Sequence, residues 1–302
     1  MRQNILTEPM GLLFKRIAVP GMLGMTALGL YQFVDAIFVG QLVGPLGLSA
    51  ISIVSPIPFI NYGVTNLFGI GSATLLSRAM GSGEKETIEK IFWNLGIWIF
   101  LLSALITVVF LIFAEPVVRL LGAENDELVE KSAVYLRIIM TGSFFHNFAY
   151  SSNQLIRNEG KMTTAMVLLG IGLFLNILLD PLFIHVLGLG VQGAGLATVI
   201  SQFVMLVIGL GYFFSGRSTV PVKRFTIAPE LMPKILSVGF SAFLMQLMTR
   251  VQHAVAYRTI ADYGEIADIA VLGAVFRLNS FCFLPLWGIA QALQPVIGKI
   301  GR

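Results

Sequence analysis

Hydrophobic residues along the chain gather into eight long runs, roughly residues 12–43, 48–77, 91–113, 133–156, 163–187, 193–214, 235–261 and 269–297. A helix needs about 20 residues to cross the apolar part of a bilayer, and each run reaches that length. The runs are too long for the strands of an outer-membrane barrel and lack their in-out alternation. The pattern predicts an all-α polytopic membrane protein with eight spans. Most polar breaks between runs are short. Residues 215–233 form a longer one, basic and carrying Pro221, Pro229 and Pro233, a composition that interrupts helices. That break predicts a six-helix bundle over 1–214, a linker over 215–233, and the first two helices of a second bundle over 234–302.

Charge sets the orientation. Arg2, Lys15, Arg16, Arg78, Lys85, Lys90, Arg157, Lys161, Arg217, Lys223, Arg224, Lys234, Lys299 and Arg302 fall on one side of the predicted spans, 14 of the 20 Lys and Arg. The opposite side holds Arg119, Lys131 and Arg258 among eight acids. Basic loops stay in the cytoplasm, so both termini are expected there. The N-terminus lacks the small-residue cleavage pattern of a secretory signal, which keeps the first helix in place. The net charge of +4 is spread over short loops, with no basic stripe interleaved with aromatics, so nucleic acid is excluded as a partner. The lone Cys282 rules out an internal disulfide and reads as a small core residue.

The second part of the chain echoes the first. Lys15–Pro20 matches 234–239 in character, Gly44 meets Gly264, Ala50 meets Ala270 and Gly81 meets Gly301, at a shared offset near 220. Six spans separate the copies, so they share one orientation and form a parallel repeat, a recurring plan among secondary transporters.

Of the 16 acids, Asp35 and Asp180 alone fall deep within apolar runs, and carboxylates in hydrocarbon are costly and functional. Asp35 follows Lys15 by 20 residues and Asp180 follows Lys161 by 19. At 1.5 Å rise per residue the two reach similar depth. Asn176 shares a helix face with Asp180, and Thr198 follows in the next run. Two carboxylates, an amide oxygen and a hydroxyl make an all-oxygen set suited to sodium or to protons. Desolvation and mutual repulsion favour a cation between them. The alternative for Asp35 is a helix-end carboxylate at the outer interface. Pro20 inside the first span removes a backbone bond and permits a bend, whereas Pro181 reads as a helix-end proline. Tyr31, Asn153, Met22 and Met25 are candidates to line a substrate cavity, against a plain core role. Arg277 lies mid-span and needs a partner or a wet cavity. Arg250 lies in the seventh run, and His146 and His253 read as packed, hydrogen-bonded histidines. Gly69–Gly71 and Gly81–Gly83 read as close packing and a helix end. No nucleophile elbow, phosphate loop, zinc motif or paired cysteine is present. Without an ATPase module, pumping must draw on an ion gradient, and no cofactor is expected beyond the coupling ion, Na+ or H+.

Four stretches in combination carry a resemblance: Leu30-Tyr-Gln-Phe-Val-Asp35-Ala-Ile-Phe-Val-Gly40, Leu76-Ser-Arg-Ala-Met-Gly81, Asn176-Ile-Leu-Leu-Asp180-Pro-Leu-Phe-Ile184 and Gly190-Val-Gln-Gly-Ala-Gly-Leu-Ala-Thr198. With them the chain resembles the multidrug and toxic compound extrusion (MATE) transporters, in particular the DinF-like and MepA-like branches. The resemblance implies twelve helices in two bundles around a V-shaped cavity, and antiport of organic cations or drugs against sodium or protons. It implies a cation site at Asp35, Asn176, Asp180 and Thr198 with the backbone of Ala194. It further implies a bend at Pro20, a cavity near Tyr31 and Asn153, and a membrane arginine at Arg277.

Two features depart from that pattern. The seventh span carries no acid, so the second cation site of some members is not expected. The chain also ends at Gly298-Lys-Ile-Gly-Arg302, before four further spans, and is expected to be a fragment or a truncated product. The rival readings are a lipid-linked oligosaccharide flippase of the same superfamily, a non-transporting membrane interaction protein, and an intramembrane enzyme built on Asp35 and Asp180.

Overall fold

The computed structural model describes residues 10–222, 225–263 and 266–300, apart from some side chains, chiefly in the first and last two helices. Among the described residues every regular element is helical. Hydrocarbon supplies no partner for backbone N–H and C=O groups, and a helix satisfies its own. Helix α1 covers Met10–Leu42. The second span has three pieces, α2 (Gly44–Val54), α3 (Phe59–Val64) and α4 (Gly71–Ser82), the last two joined by a π-helical turn at Thr65–Ile70. Then follow α5 (Lys85–Leu120), α6 (Asp126–Thr141), α7 (Ser143–Asn158) and α8 (Met162–Pro181). A second π turn, Leu182–Val186, extends α8, and α9 covers Gly190–Phe214. Beyond the linker lie a 3-10 turn (Pro229–Leu231), α10 (Met232–Tyr263) and α11 (Ile266–Ile300).

The departures from the apolar runs have local causes. Pro56 and Pro58 fall in the turn between α2 and α3, where each removes a donor from the helical ladder. The third run stops at Phe113 because α5 kinks there: Phe113 has φ −102° and ψ 17°, three residues before Pro116. The fourth span starts earlier than its apolar run, since the Asn125 side chain accepts from Glu127 N–H at 2.9 Å and caps α6. Among the described residues, 44–82, 85–120, 162–186, 190–214 and 229–260 are long and apolar enough to cross a membrane. The α6–α7 pair is not in that set because α7 is strongly amphipathic. Its polar residues His146, Asn147, Ser151, Ser152 and Asn153 are buried against neighbouring helices.

The interior of the first six spans is filled by Phe92, Ile99, Leu136, Met140, Leu155 and Leu169, all essentially inaccessible. Large apolar side chains such as Leu105, Ile112 and Phe174 point outward, as a lipid-facing surface requires. Helices α10 and α11 meet the first two spans along glycine seams. A Cβ on Gly239 would lie 1.7 Å from the Leu67 carbonyl oxygen, and one on Gly71 2.3 Å from that of Ile235. Gly21 and Gly288 face each other so that a Cβ on either would lie within 2.7 Å of the other's carbonyl oxygen. Residues without side chains let membrane helices approach this closely. Gly69 likewise packs on Ser151, and Gly83, at φ +76°, ends α4. Cys282 is a correction: it is exposed on α11 rather than part of a core, because no element among the described residues covers that face of the helix. His253 stacks on Phe276 with ring centroids 4.0 Å apart. The side chains of Arg250 and Arg277 lie outside the described residues.

The linker is bound to the first six spans. Glu159, just beyond α7, is buried and accepts from Tyr212 Oη at 2.7 Å, from Thr219 N–H at 3.2 Å and from the Ser218 hydroxyl, with Lys161 Nζ 3.3 Å away. Further along, Asn94 accepts from Ala228 N–H at 2.8 Å and donates to the Thr226 carbonyl at 3.1 Å. Lys90 pairs with Glu230 at 3.3 Å.

A buried carboxylate pair between three helices

Helix α8 packs against both α1 and α9. Ala194 on α9 packs with Val39, one turn beyond Asp35, and with Ile184, one turn beyond Asp180. Because α9 runs opposite to α1 and α8, Thr198 comes back one turn to the level of the two carboxylates. Asp180 is 1% exposed and Asn176 2%. The Asp35 and Asp180 carboxyl groups lie within hydrogen-bonding reach of each other.

Hydrogen bonds here run in one direction. The Tyr31 hydroxyl donates to Asn176 Oδ1, and Asn176 Nδ2 donates to Asp180 Oδ1 at 3.1 Å. This order also fixes the amide, since a carboxylate can only accept. Asp180 Oδ2 is buried and has no hydrogen-bond donor. Its neighbour Asp35 is a second acceptor, so two ionised groups would repel at short range in a low-dielectric setting. A proton shared between them, or a small cation, removes that conflict.

The oxygen set extends to α9. Thr198 Oγ1 donates to the Ala194 carbonyl at 3.0 Å, which leaves hydroxyl lone pairs available and spends part of the carbonyl's capacity on its own helix. No cluster of three or more His, Cys, Asp or Glu is assembled among the described residues. The groups gathered here are two carboxylates and neutral oxygens, chemistry that suits a proton or a hard cation better than a transition metal.

The structure separates the cavity candidates. Tyr31 belongs to the carboxylate site. Met25 is buried and Met22 half-buried, and Gly24 between them packs on the Met166 side chain. Asn153 faces elsewhere: its amide nitrogen donates to the Ala165 carbonyl at 2.7 Å and its oxygen accepts from Arg157 Nε at 2.8 Å. Helix α1 continues through Pro20 without interruption. Pro181 closes α8, with a π turn following.

Sequence reasoning missed Tyr135 on α6. It packs against the Val39–Ile184–Ala194 cluster, on a face of α9 where Gly195 leaves room for its ring, and it lies in electrostatic range of both Asp35 and Asp180. Nothing in its local sequence marks it. A second polar cluster joins the neighbouring spans. Asn147 bonds to Ser103 at 2.9 Å and to Asn61 and Thr65 at 3.3 Å, and buried His146 has Nδ1 3.2 Å from Gln202 Nε2 and packs between Tyr62 and Tyr150.

Comparison with known proteins identifies the fold and the family. The Multidrug export protein MepA of Staphylococcus saprophyticus is 32% identical over 93% of this chain, and the chain spans 62% of that relative's length. A crystal structure of MATE in the straight conformation matches 98% of this chain and 67% of its own, at TM-score 0.90 and 29% identity. A MATE in complex with MaD3S gives TM-score 0.90 at 28% identity, covering 98% of this chain and 68% of its own. The MatE family model matches residues 20–182, which contain Asp35, Asn176 and Asp180 alike, and the chain belongs to the MatE family.

Proposed function

We propose that the protein is a secondary active antiporter that exports organic cations or drugs in exchange for a monovalent cation, sodium or proton, taken up between Asp35 and Asp180. The observation that carries this reading is Asp180 Oδ2, buried without a donor and facing a second carboxylate. The pair needs a positive charge between its members, and a site that needs a cation can exchange one across the membrane. Membership of a family whose relatives include multidrug export proteins supports the same reading. The basic linker side of the bundle is then cytoplasmic, and the membrane is the bacterial plasma membrane. The helices up to α9 form the first bundle, and α10 and α11 begin the second.

In this mechanism Asn176 holds Asp180 with its amide nitrogen, Tyr31 fixes that amide, and Thr198 and Ala194 add oxygens from α9. Neutralising the carboxylates lets α1 and α8 come together, and bending of α1 at Pro20 narrows the space on its other face and releases the drug. Arg277, mid-way along α11, is a coupling candidate.

The test is dye efflux from proteoliposomes holding the full-length protein, with an imposed sodium or pH gradient. The unmodified chain should export under at least one gradient, and Asp180→Asn should abolish it while expression and Tm stay near normal. Equal rates for Asp180→Asn under both gradients would remove the carboxylate pair from the coupling.

A further inference from the structure

Two buried charged groups lie two residues apart in sequence at the linker end of α7, and they differ in how they are compensated. Glu159 has a lysine, two hydroxyls and a backbone N–H around it. Arg157 is 7% exposed, and no carboxylate among the described residues pairs with it. Its partners are neutral: Nε donates to Asn153 Oδ1 at 2.8 Å and Nη1 donates to Gln291 Oε1 on α11. A guanidinium keeps its proton under all ordinary conditions, and a buried charge without a counter-charge costs several kcal/mol. Such a charge is retained where it has a task.

The geometry assigns one. Asn153 has both ends of its amide engaged, one on the Ala165 carbonyl and one on Arg157. It therefore holds the guanidinium in place rather than meeting a ligand itself. On the other side the Gln291 carboxamide, planar and with the outline of a carboxylate, occupies the accepting position between α7 and α11. We propose that Arg157 is a carboxylate-binding site: a small amphipathic compound bearing a carboxylate displaces Gln291 and pairs with the guanidinium, whose fork matches two carboxylate oxygens. This deepens the exporter reading, on which it rests, by adding carboxylate-bearing and zwitterionic compounds to the transported class. It also makes Gln291 a neutral placeholder that keeps the site closed when no such compound is present.

The experiment measures equilibrium binding, so it is independent of any ion gradient. Purified 302-residue protein in dodecyl maltoside is titrated with dansylglycine and with dansylglycine methyl ester, read by dansyl fluorescence. The acid should bind and the ester should bind at least about tenfold more weakly, the scale of one charge-assisted bond. Arg157→Gln should weaken the acid by roughly tenfold to a hundredfold. Gln291→Ala removes the competing amide and should tighten the acid by about twofold to tenfold. Gln291→Glu supplies a resident carboxylate and should weaken it by about tenfold or more. These last two variants leave Arg157 in place, so the proposal stays testable should Arg157→Gln fail to fold. Unchanged affinity in both Gln291 variants, or equal binding of acid and ester, would overturn it. So would displacement of dansylglycine by phosphatidylglycerol but not by phosphatidylcholine, which would assign the site to a lipid headgroup.

Discussion

Tyr31 on α1 donates its hydroxyl hydrogen to the amide oxygen of Asn176 on α8, across 145 residues of sequence. The bond links the two carboxylate-bearing helices through a neutral group and sets which way the Asn176 amide faces. The nitrogen then reaches Asp180 Oδ1, and Asp180 Oδ2 is left without a donor.

Tyr31→Phe keeps the ring and removes the donor. The Asn176 amide is then free to rotate, and its hold on Asp180 weakens. The expected result is a fall of about 1 kcal/mol in stability, the worth of one hydrogen bond. A severalfold rise in the sodium or proton concentration needed for half-maximal efflux should accompany it. Both are read on the same proteoliposome preparation, and unchanged ion dependence would reduce Tyr31 to a packing residue.

Legibility from sequence was uneven, for reasons that lie in particular residues. Asp35 and Asp180 stood out because a carboxylate in an apolar run has few bland explanations. Asn176 was legible through its spacing from Asp180, which places both on one helix face. Tyr135 was not, because a tyrosine in a hydrophobic run looks the same whether it faces lipid or lies near a buried acid of another helix. The partners of Asn153, the Ala165 carbonyl and Arg157, carry no signal in its local sequence. The break in the second span at Pro56 and Pro58 lies inside a run that hydropathy shows as continuous over 48–77, and the π turns at Thr65–Ile70 and Leu182–Val186 leave no pattern in a run of apolar residues. The exposure of Cys282 depends on which face of α11 is covered, and composition carries no record of that.

The glycine seam between the second span and α10 predicts a sharp contrast. Gly239→Ala forces a methyl group into the Leu67 carbonyl and should cost about 1–3 kcal/mol or more, as overpacking does. Gly211→Ala, with nothing within 4 Å of the added carbon, should be neutral or mildly stabilising. Thermal unfolding followed by tryptophan fluorescence measures both, and equal Tm values would show that the seam opens at no cost.

Glu159 is expected to hold the linker down. Glu159→Gln keeps the shape but gives up the ion pair with Lys161 and turns one accepting oxygen into a donor facing Tyr212, Ser218 and Thr219. Trypsin should then cut after the exposed Arg217 several times faster than in the unmodified protein, with the bundle helices still protected. An unchanged cleavage rate would mean that Asn94 and Glu230 suffice.

Orientation is open to a direct check. Ser215→Cys and Asn125→Cys, both exposed positions at opposite ends of the bundle, should differ in labelling by a membrane-impermeant maleimide applied outside intact cells, on a background in which Cys282 is Ser. Asn125→Cys should react and Ser215→Cys should not. The reverse result would place the basic face outside.

Because Asn94 and Lys90 grip the chain up to Glu230, the start of α10 has almost no slack, and any rearrangement of that helix has to turn about its first residues. With 32 residues the helix is a rigid arm of about 48 Å. A rotation of about ten degrees at Met232 would carry the far end through roughly 8 Å at that length. A rotation of that kind would act as a lever: a change of a few ångströms near the anchored end would be magnified at the far end of the helix, and loosening the anchor would shorten the movement.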